Sequence, residues 1–483
     1  MAKVFEVNTS NGRGSIEVLR EVIWKNFWKE VNGTRGKLLW LGLAPTTEDI
    51  ECSKGKIVNR IPGLEEVAHK RPMGELLKFV YKYFPEVFNI FPKTYLLPED
   101  FEQLENLTKK KKSYFIVKPT SGSQGEGIFI INSSRDLESS IIRNWSDLVV
   151  QEYLHPPLLL RNKKFDLRIY ALITNLDPLC VFINEEGLAR FCTEDYQAPN
   201  NSNISNAFMH LTNYSLNKRS AKFVHTDEIS EINDGSKQTL RSFYRELEIN
   251  GCPVDVIKNN INDLVLKTMI AIQPALMLQL KSKMKLAKLD KLKYFHIIGI
   301  DVMLTDDFKA WLLEINANPS LRIDFEQEVS PGVSQNLPSD LDKYVKMMVV
   351  EDAIKIARLK KSDQLVLPQY ESYSRLLPGN HNCGECSDIL LGIFNSFCTL
   401  TDIKDPSIIP LGKFRKIFSK VKGRLNKEIV SADFDILYIK VLKKLELSQM
   451  NYIGFVTAIE EIATKFLNGS DKDKLTYLLT LLA

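Results

Sequence analysis

Two carboxylates and one carboxamide mark the stretch of this chain with the clearest chemistry. Gly299-Ile300-Asp301-Val302-Met303-Leu304 and Trp311-Leu312-Leu313-Glu314-Ile315-Asn316-Ala317-Asn318-Pro319-Ser320 read as apolar strands, and Thr305-Asp306-Asp307-Phe308-Lys309 between them is turn-like. Folding about Asp307-Phe308 puts Asp301 opposite Glu314, and Asn316, two residues on, shares that face. Like charges so placed repel unless something neutralises them. Three oxygen-bearing groups on one spot form an oxygen-only cage of the kind Mg²⁺ uses while it holds nucleotide phosphates. A solvent-facing antiparallel pair is the plain alternative; the flanking Trp311, Leu312 and Ile315 favour burial.

Other motifs carry phosphate- and anion-binding chemistry. Phe115-Ile116-Val117-Lys118-Pro119 runs into Ser121-Gly122-Ser123-Gln124-Gly125-Glu126-Gly127-Ile128. Glycines let backbone N–H groups approach phosphate oxygens, and Lys118 adds a positive charge. No Gly-Lys-Ser/Thr follows and the next element reads as a strand, so this is no Walker loop; a simple hairpin turn is the alternative. Val149-Val150-Gln151-Glu152-Tyr153-Leu154 reads as a strand whose backbone could pair with an adenine edge. Lys164-Phe165-Asp166-Leu167-Arg168 alternates, so Lys164, Asp166 and Arg168 share a face, as a structural ion pair or as groups that hold ribose and phosphate. Arg190 in Gly187-Leu188-Ala189-Arg190-Phe191 needs an anion among its apolar neighbours. His210-Leu211-Thr212-Asn213-Tyr214-Ser215-Leu216-Asn217-Lys218 is dense in hydrogen-bonding groups, as a capped turn also would be.

The elements that must position these groups form a mixed α/β (α+β) pattern. Strands are expected at residues 114–118, 127–131, 148–153, 165–173 and 179–184, and helices at 65–83, 254–280 (kinked at Pro274) and 340–360. A loop is expected through Pro331-Gly332. The chain divides into a lobe at 1–112, further lobes at 113–365, a linker at 366–380 and a helical module at 381–483.

At 483 residues, 44% hydrophobic and 26% charged, the chain has the composition of a protein with a substantial core. A net charge of +4 does not mark a nucleic-acid binder. The start, Met1 to Asn8, lacks a basic segment followed by an apolar one, and no window reads as 18 or more apolar residues, so neither secretion nor a membrane span is expected. Seven scattered cysteines suit a reducing compartment. The basic residues gather at 109–112, at 281–293 and from Lys413 to Lys427, the last run without an acid; such runs are solvated faces or attract acidic partners.

Taken in order, these motifs resemble the tubulin tyrosine ligase-like family of ATP-grasp ligases over roughly residues 35–360. Ile57-Val58-Asn59-Arg60-Ile61-Pro62-Gly63 and Phe91-Pro92-Lys93-Thr94-Tyr95-Leu96-Leu97-Pro98 extend the likeness toward the N-terminus. Gly235-Ser236-Lys237 and residues 316–331 resemble the polyglutamylase branch. The resemblance implies that ATP is bound by Lys118, Gln124, Gly125, Gln151, Glu152, Tyr153, Leu154, Lys164, Phe165, Asp166, Thr212 and Asn213. It implies Mg²⁺ on Asp301, Glu314 and Asn316. Free L-glutamate falls to Gln124, Arg190, Tyr214, Ser215, Lys237 and Lys346, and catalytic roles to Arg168, Arg190 and Glu314. The implied partner is the acidic C-terminal tail of tubulin in microtubules, met by a monomer in the cytoplasm and cytoskeleton, including cilia and basal bodies. Some glutamylases carry histidine where this chain has Ala317, which leaves starting versus lengthening a glutamate chain open. Glycine or tyrosine ligation on the same fold, and a catalytically inactive microtubule-binding scaffold, are the alternatives.

Beyond residue 380, Ser431-Ala432-Asp433-Phe434-Asp435-Ile436 followed by the helix around Phe455 resembles the p25-alpha domain of tubulin polymerisation-promoting proteins, an EF-hand-like fold; the alternating acids of a calcium loop are absent. Cys383-Gly384-Glu385-Cys386 with His381 lacks the second cysteine pair a zinc site needs.

Overall fold

The computed structural model describes residues 4–12, 16–43, 45–110, 113–120, 122, 125–138, 148–225, 229, 235–330, 333–376, 383–401, 408–421, 431–445 and 447–482. Among them, four sheets carry the chain. In the first, β1 (Glu6–Asn8), β2 (Lys29–Val31), β3 (Leu38–Leu39), β4 (Ile57–Val58) and β13 (Lys293–Tyr294) are all parallel, in the order β13-β4-β3-β1-β2. The second is antiparallel, β5 (Thr94–Leu96), β8 (Leu148–Glu152), β6 (Phe115–Pro119) and β7 (Phe129–Ile131) in that spatial order. The central sheet runs β15 (Ala310–Asn316), β14 (His296–Leu304), β10 (Lys163–Leu176), β11 (Leu179–Phe191), β19 (Tyr373–Arg375) and β18 (Gln369–Tyr370), with β9 (Leu159–Leu160) beside β10 and β12 (Lys237–Thr239) beside β11. A separate hairpin pairs β16 (Asp324–Ser330) with β17 (Val333–Pro338), across the stretch expected to be a loop.

Two helices cover the central sheet unequally, and that sets the site. Phe165, Leu167, Ile169 and Ala171 of β10 join the apolar cluster around the Val254–Leu286 helix. On the opposite face Tyr170 and Leu172 pack with Leu341, Val345 and Val349 of the Asp340–Arg358 helix. Lys164, Asp166 and Arg168 lie on that second face, by the alternation of a strand, where the apolar cover has ended. One strand thus supplies core at one end and chemistry at the other.

The Val254–Leu286 helix runs unbroken through Pro274 and is, among the described residues, long and apolar enough by composition to cross a membrane, contrary to the reading of the sequence; 89% of its apolar window is buried inside the protein, the setting of a core helix. The helix expected over 65–83 is two, Leu64–Ala68 and Lys70–Tyr83, broken at His69, whose backbone is extended. β11 reaches Phe191, well past the expected end, and so carries Arg190 into the sheet. Part of the expected linker also joins the sheet. Tyr373 is fully buried and its hydroxyl donates to the Val349 carbonyl at 3.1 Å, which fixes β19 against β11.

Five helices follow: Cys383–Leu400, Leu411–Val421, Ser431–Lys444, Tyr452–Phe466 and Asp471–Leu482. They pack on one another and on the Lys70–Tyr83 and Val254–Leu286 helices, through an apolar cluster continuous with that of the central sheet. An ion pair between Lys82 and Glu460 crosses the contact.

Candidate active site

Strand register assembles the charged face of the central sheet. Asp301 pairs with Glu314 and Gly299 with Asn316, as the hairpin reading expects. The turn residues do not follow that reading, because Leu304 pairs with Ala310; an irregularity between Asp301 and Val302 takes up the one-residue difference. Thr305 to Lys309 close the hairpin, with Phe308 at φ 63°. Across β10, Arg168 pairs with Asp301 and Asp166 with Arg190, and Arg190 in turn with Lys237. Cross-strand partners point to one face, so five strands deliver one row of charge.

The row is ion-paired from Lys237 to Asp301. Arg168 donates to Asp301 from Nε at 2.5 Å and from Nη2 at 3.0 Å. Arg190 grips Asp166 with Nε and Nη2 at 2.6 and 2.7 Å and reaches Asp301 Oδ2 at 2.8 Å. Thr212 Oγ1 donates to Asp166 Oδ2 at 2.6 Å. Burial pushes the Asp301 carboxyl up, but Arg168 and Arg190 outweigh it and hold the group well below the usual carboxylate range. For Asp166 burial prevails and raises the carboxyl, against Arg190. Asn316 Nδ2 lies 3.4 Å from both Asp301 Oδ2 and Glu314 Oε1, so the three oxygen-bearing groups do converge. No group of three or more His, Cys, Asp and Glu among the described residues is arranged for a metal, since this set has two carboxylates and an amide. Its donor chemistry nonetheless fits Mg²⁺, which takes one or two carboxylates and fills its shell from water and phosphate.

Beside this row opens a cleft of about 680 Å³, counting its solvent-open part, between the central sheet and the β5–β8 sheet. Lys118, Gln151, Glu152, Leu154, Lys164, Asp166, Thr212, Asn213, Asp301 and Glu314 all line it. Lys118 Nζ donates to Gln151 Oε1 at 2.7 Å, and Gln151 Nε2 to Thr94 Oγ1 at 3.0 Å. Burial lowers the Lys118 ammonium, opposed by Glu314, and brings that of Lys164 down to about 8. A wider cleft shares Asn213 and Glu314 with the first and adds Gly125 and Asn316. Gly125 sits at φ 84°, and a Cβ there would stand 2.9 Å from Asn213 Cγ, so only glycine allows this approach.

Two residues assigned to nucleotide binding do not line the cleft. Phe165 points into the core, edge-on to Phe243 at 4.9 Å, because it lies on the apolar face of β10. The Tyr153 ring lies under the Lys164 ammonium at 4.3 Å and its hydroxyl bonds His210 Nδ1 at 2.9 Å, which makes it a support for Lys164. Gln124 lies outside the described residues, as do His381 and the side chains of Cys383 and Cys386.

The lysines expected to meet free glutamate share an acid that sequence reading missed. Lys237 and Lys346 both bind Asp342, Lys346 at 2.9 Å. Together they hold the Asp342 carboxyl low, against its burial. Lys346 also donates to the Arg322 carbonyl, and Lys237 stands 4.7 Å from the Tyr214 ring centroid. Ser215 is half-buried in the same turn, Tyr214–Asn217. The signal was present: Ser339 caps the helix start, and Asp342 precedes Lys346 by one helical turn. His296 was missed too. Its Nδ1 accepts from the Ile61 amide at 2.9 Å and its Nε2–H donates to the Ala317 carbonyl at 2.7 Å, pinning the end of β15 to the N-terminal lobe.

The model of the tubulin-tyrosine ligase family matches residues 48–355. The chain belongs to that family. Its mixed α/β architecture is accordingly the family's ATP-grasp-like fold. It is 38% identical over 373 residues to mouse (Mus musculus) tubulin polyglutamylase TTLL11, across 75% of this chain and 50% of the mouse protein. The human TTLL11 polyglutamylase is 36% identical over 378 residues, across 75% and 52% respectively. Mouse tubulin polyglutamylase TTLL6 is 36% identical over 330 residues, 68% of this chain and 37% of the relative. The chain thus spans about half the length of the two TTLL11 proteins. The family match takes in every assigned site residue and stops short of the C-terminal helices.

Proposed function

We propose that this protein is an ATP-dependent carboxylate–amine ligase that adds L-glutamate to glutamate side chains, or to glutamate chains already begun, on the acidic C-terminal tails of tubulin. The observation that carries this reading is the continuous charged row Lys237–Arg190–Asp166 and Arg168–Asp301–Glu314 beside the cleft. Membership of the tubulin-tyrosine ligase family and the likeness to proteins named as tubulin polyglutamylases support it.

Asp301, Glu314 and Asn316 would hold Mg²⁺, and Lys118, Lys164 and the 151–154 strand would hold ATP. When bound, Mg-ATP supplies the phosphoryl group that converts a poorly electrophilic carboxylate of the acceptor into an acyl phosphate. Arg168 and Arg190, already fixed by their carboxylates, offer positive charge without reorganising, which is where electrostatic stabilisation is largest. Lys237 and Lys346 meet the carboxylates of free L-glutamate beside Tyr214 and Ser215. Its amine attacks the acyl carbon, the C–N bond forms, and phosphate leaves with the C–O bond it held. Tyrosine and glycine lack the side-chain carboxylate that a second lysine can meet. Such a ligase works at the cytoskeleton, with cilia and basal bodies among its sites.

Incubation with microtubules, Mg-ATP and radiolabelled glutamate tests the proposal, with mass spectrometry of the tails. Glutamate should be incorporated in preference to glycine or tyrosine. A preference for either competitor moves the protein to another branch, and microtubule binding without incorporation makes it a scaffold.

A further inference from the structure

A second charged feature lies away from the cleft, at the N-terminal ends of the parallel sheet. Because β1, β3, β4 and β13 all run the same way, the residues that open them come to one rim. Lys37 directly precedes β3, Lys56 directly precedes β4, and Lys293 opens β13. Neighbouring strands are about 4.8 Å apart, so Lys37 and Lys56, each one residue before the Leu38–Ile57 pair, come side by side, and Lys293, opposite Ile57, lies one residue further along the same rim. Gly36 and Gly55, at φ 98° and 74°, make the tight turns that deliver Lys37 and Lys56. Lys54 and Arg358 complete the rim of a groove of about 1400 Å³, counting its solvent-open part.

The rim lysines differ from others in the chain. Lys37, Lys54 and Lys293 are exposed and Lys56 is half-buried, and none has a carboxylate within 4 Å among the described residues. The acid lining the groove, Glu6, is bound by Arg35 at 2.7 Å. Arg358 is held over the Phe5 ring at 4.1 Å, so its charge is fixed at the groove wall. Like charges lining one groove repel one another, and an anion there relieves that repulsion.

We propose that this rim is a docking surface for an acidic polypeptide segment of a partner protein. Its cations are mainly lysines, hydrated point charges on flexible stems, which can pair with successive single carboxylates of an extended chain without a fixed bidentate geometry. Arg358 ends the helix whose first turn holds Asp342, so the rim stands about 24 Å along that helix from the amino-acid pocket, at 1.5 Å per residue. About seven extended residues cover that span, so rim and cleft are separate sites that one acidic chain could occupy together. The inference rests on the rim alone, and the ligase reading can fail without it.

Fluorescence anisotropy of the full chain with labelled poly-L-glutamate tests it. Lys37, Lys56 and Lys293 all changed to Glu should weaken binding at least tenfold in 50 mM salt, and the three Lys→Gln changes should weaken it less but clearly. ATP binding should stay unchanged. The charge-matched control, Lys281, Lys285 and Lys288 to Glu along a separate groove, should lose less than threefold. Equal losses in the two triples would show net charge alone at work and overturn the docking site. Stronger binding of inorganic polyphosphate than of poly-L-glutamate, lost with the rim triple, would replace the acidic polypeptide by a phosphate polymer.

Discussion

The central sheet, through its apolar face, and the C-terminal helices both pack against the Val254–Leu286 helix, yet the sheet's charged face and those helices are built on opposite principles. At the sheet's charged face, Asp166 and Asp301, together with Asp342 from the Asp340–Arg358 helix, are buried and each is shared with arginine or lysine. In the C-terminal helices the buried centre is apolar, with Phe397 edge-on to Phe455 at 5.5 Å, and charges such as Arg415–Asp435 lie outside. A buried ion pair contributes little net stability, because desolvation offsets the attraction, but losing one partner is expensive. Apolar packing contributes stability directly. The contrast teaches where this chain places cost for chemistry and where it places strength for the fold.

The strongest way to break that contrast is to neutralise a carboxylate in the row. Glu314→Gln keeps shape and removes charge, and glutamate incorporation should fall below a tenth of the wild-type rate with little change in Tm. A rate above that level would remove Glu314 from the metal set. Asp342→Asn leaves Lys237 and Lys346 buried without their shared anion, and stability should drop by about 3–5 kcal/mol in urea unfolding. In the same variant the KM for free glutamate should rise more than kcat falls. An unchanged KM would leave Asp342 with a purely structural role.

In the helical region the same scale of destabilisation should come without chemistry. Phe455 is fully buried, and Phe455→Ala should cost about 3–5 kcal/mol. Turnover on a soluble tail peptide, assayed well below the lowered Tm, should be unchanged. A fall in peptide turnover there would mean that the helices shape the active site through the Lys70–Tyr83 and Val254–Leu286 helices they touch.

How much of this was legible follows the same divide. The pairing of Asp301 with Glu314 was readable because strand alternation is strict and local. Arg190 was readable as a cation needing an anion, but its partner Asp166 comes from a neighbouring strand, and β10–β11 register is not written in either segment. Counting cations in the amino-acid pocket overlooked Asp342, since a helix supplies it to a sheet-borne lysine more than a hundred residues away. Phe165 was misassigned because a motif names neighbours in sequence, whereas alternate residues of a strand face opposite sides. The linker expectation failed at Tyr373, whose burial depends on the Asp340–Arg358 helix.

Acid should act on the two regions unequally. Burial lowers His296 to about 3 and His210 to about 4, with Arg60 and Lys164 respectively adding to the effect. Both folded values lie below the unfolded value near 6.5, so the unfolded state takes up protons first and stability falls as pH drops below about 6.5. At pH 5 each histidine should have cost about 2 kcal/mol relative to neutral pH. His296→Asn should remove that share of the loss in unfolding curves at pH 7 and pH 5; an unchanged difference between the two would show that His296 is not held neutral.

The smallest effect concerns the basic strip of the helices, where the contrast is sharpest in sequence and softest in energy. Between Lys413 and Lys427 the chain has seven basic residues and no acid, of which 422–430 lie outside the described residues. If the strip helps hold the protein near an acidic polymer and contributes no catalytic group, neutralising it should affect binding alone. Arg415 is already engaged by Asp435 at 2.7 Å and Lys420 by the Leu482 carbonyl, so Lys413 is the residue to neutralise. An exposed charge contributes about 0.2–1 kcal/mol, so Lys413→Gln should weaken microtubule co-sedimentation about twofold at low salt. Near 1 M salt, where the screening length is about 3 Å, the two proteins should sediment alike. Turnover on a soluble peptide should not change, because tethering raises the effective concentration only of a polymer that both regions can touch. Identical sedimentation at low salt would reduce the strip to a solvated helix face and leave the sheet as the sole region with a partner.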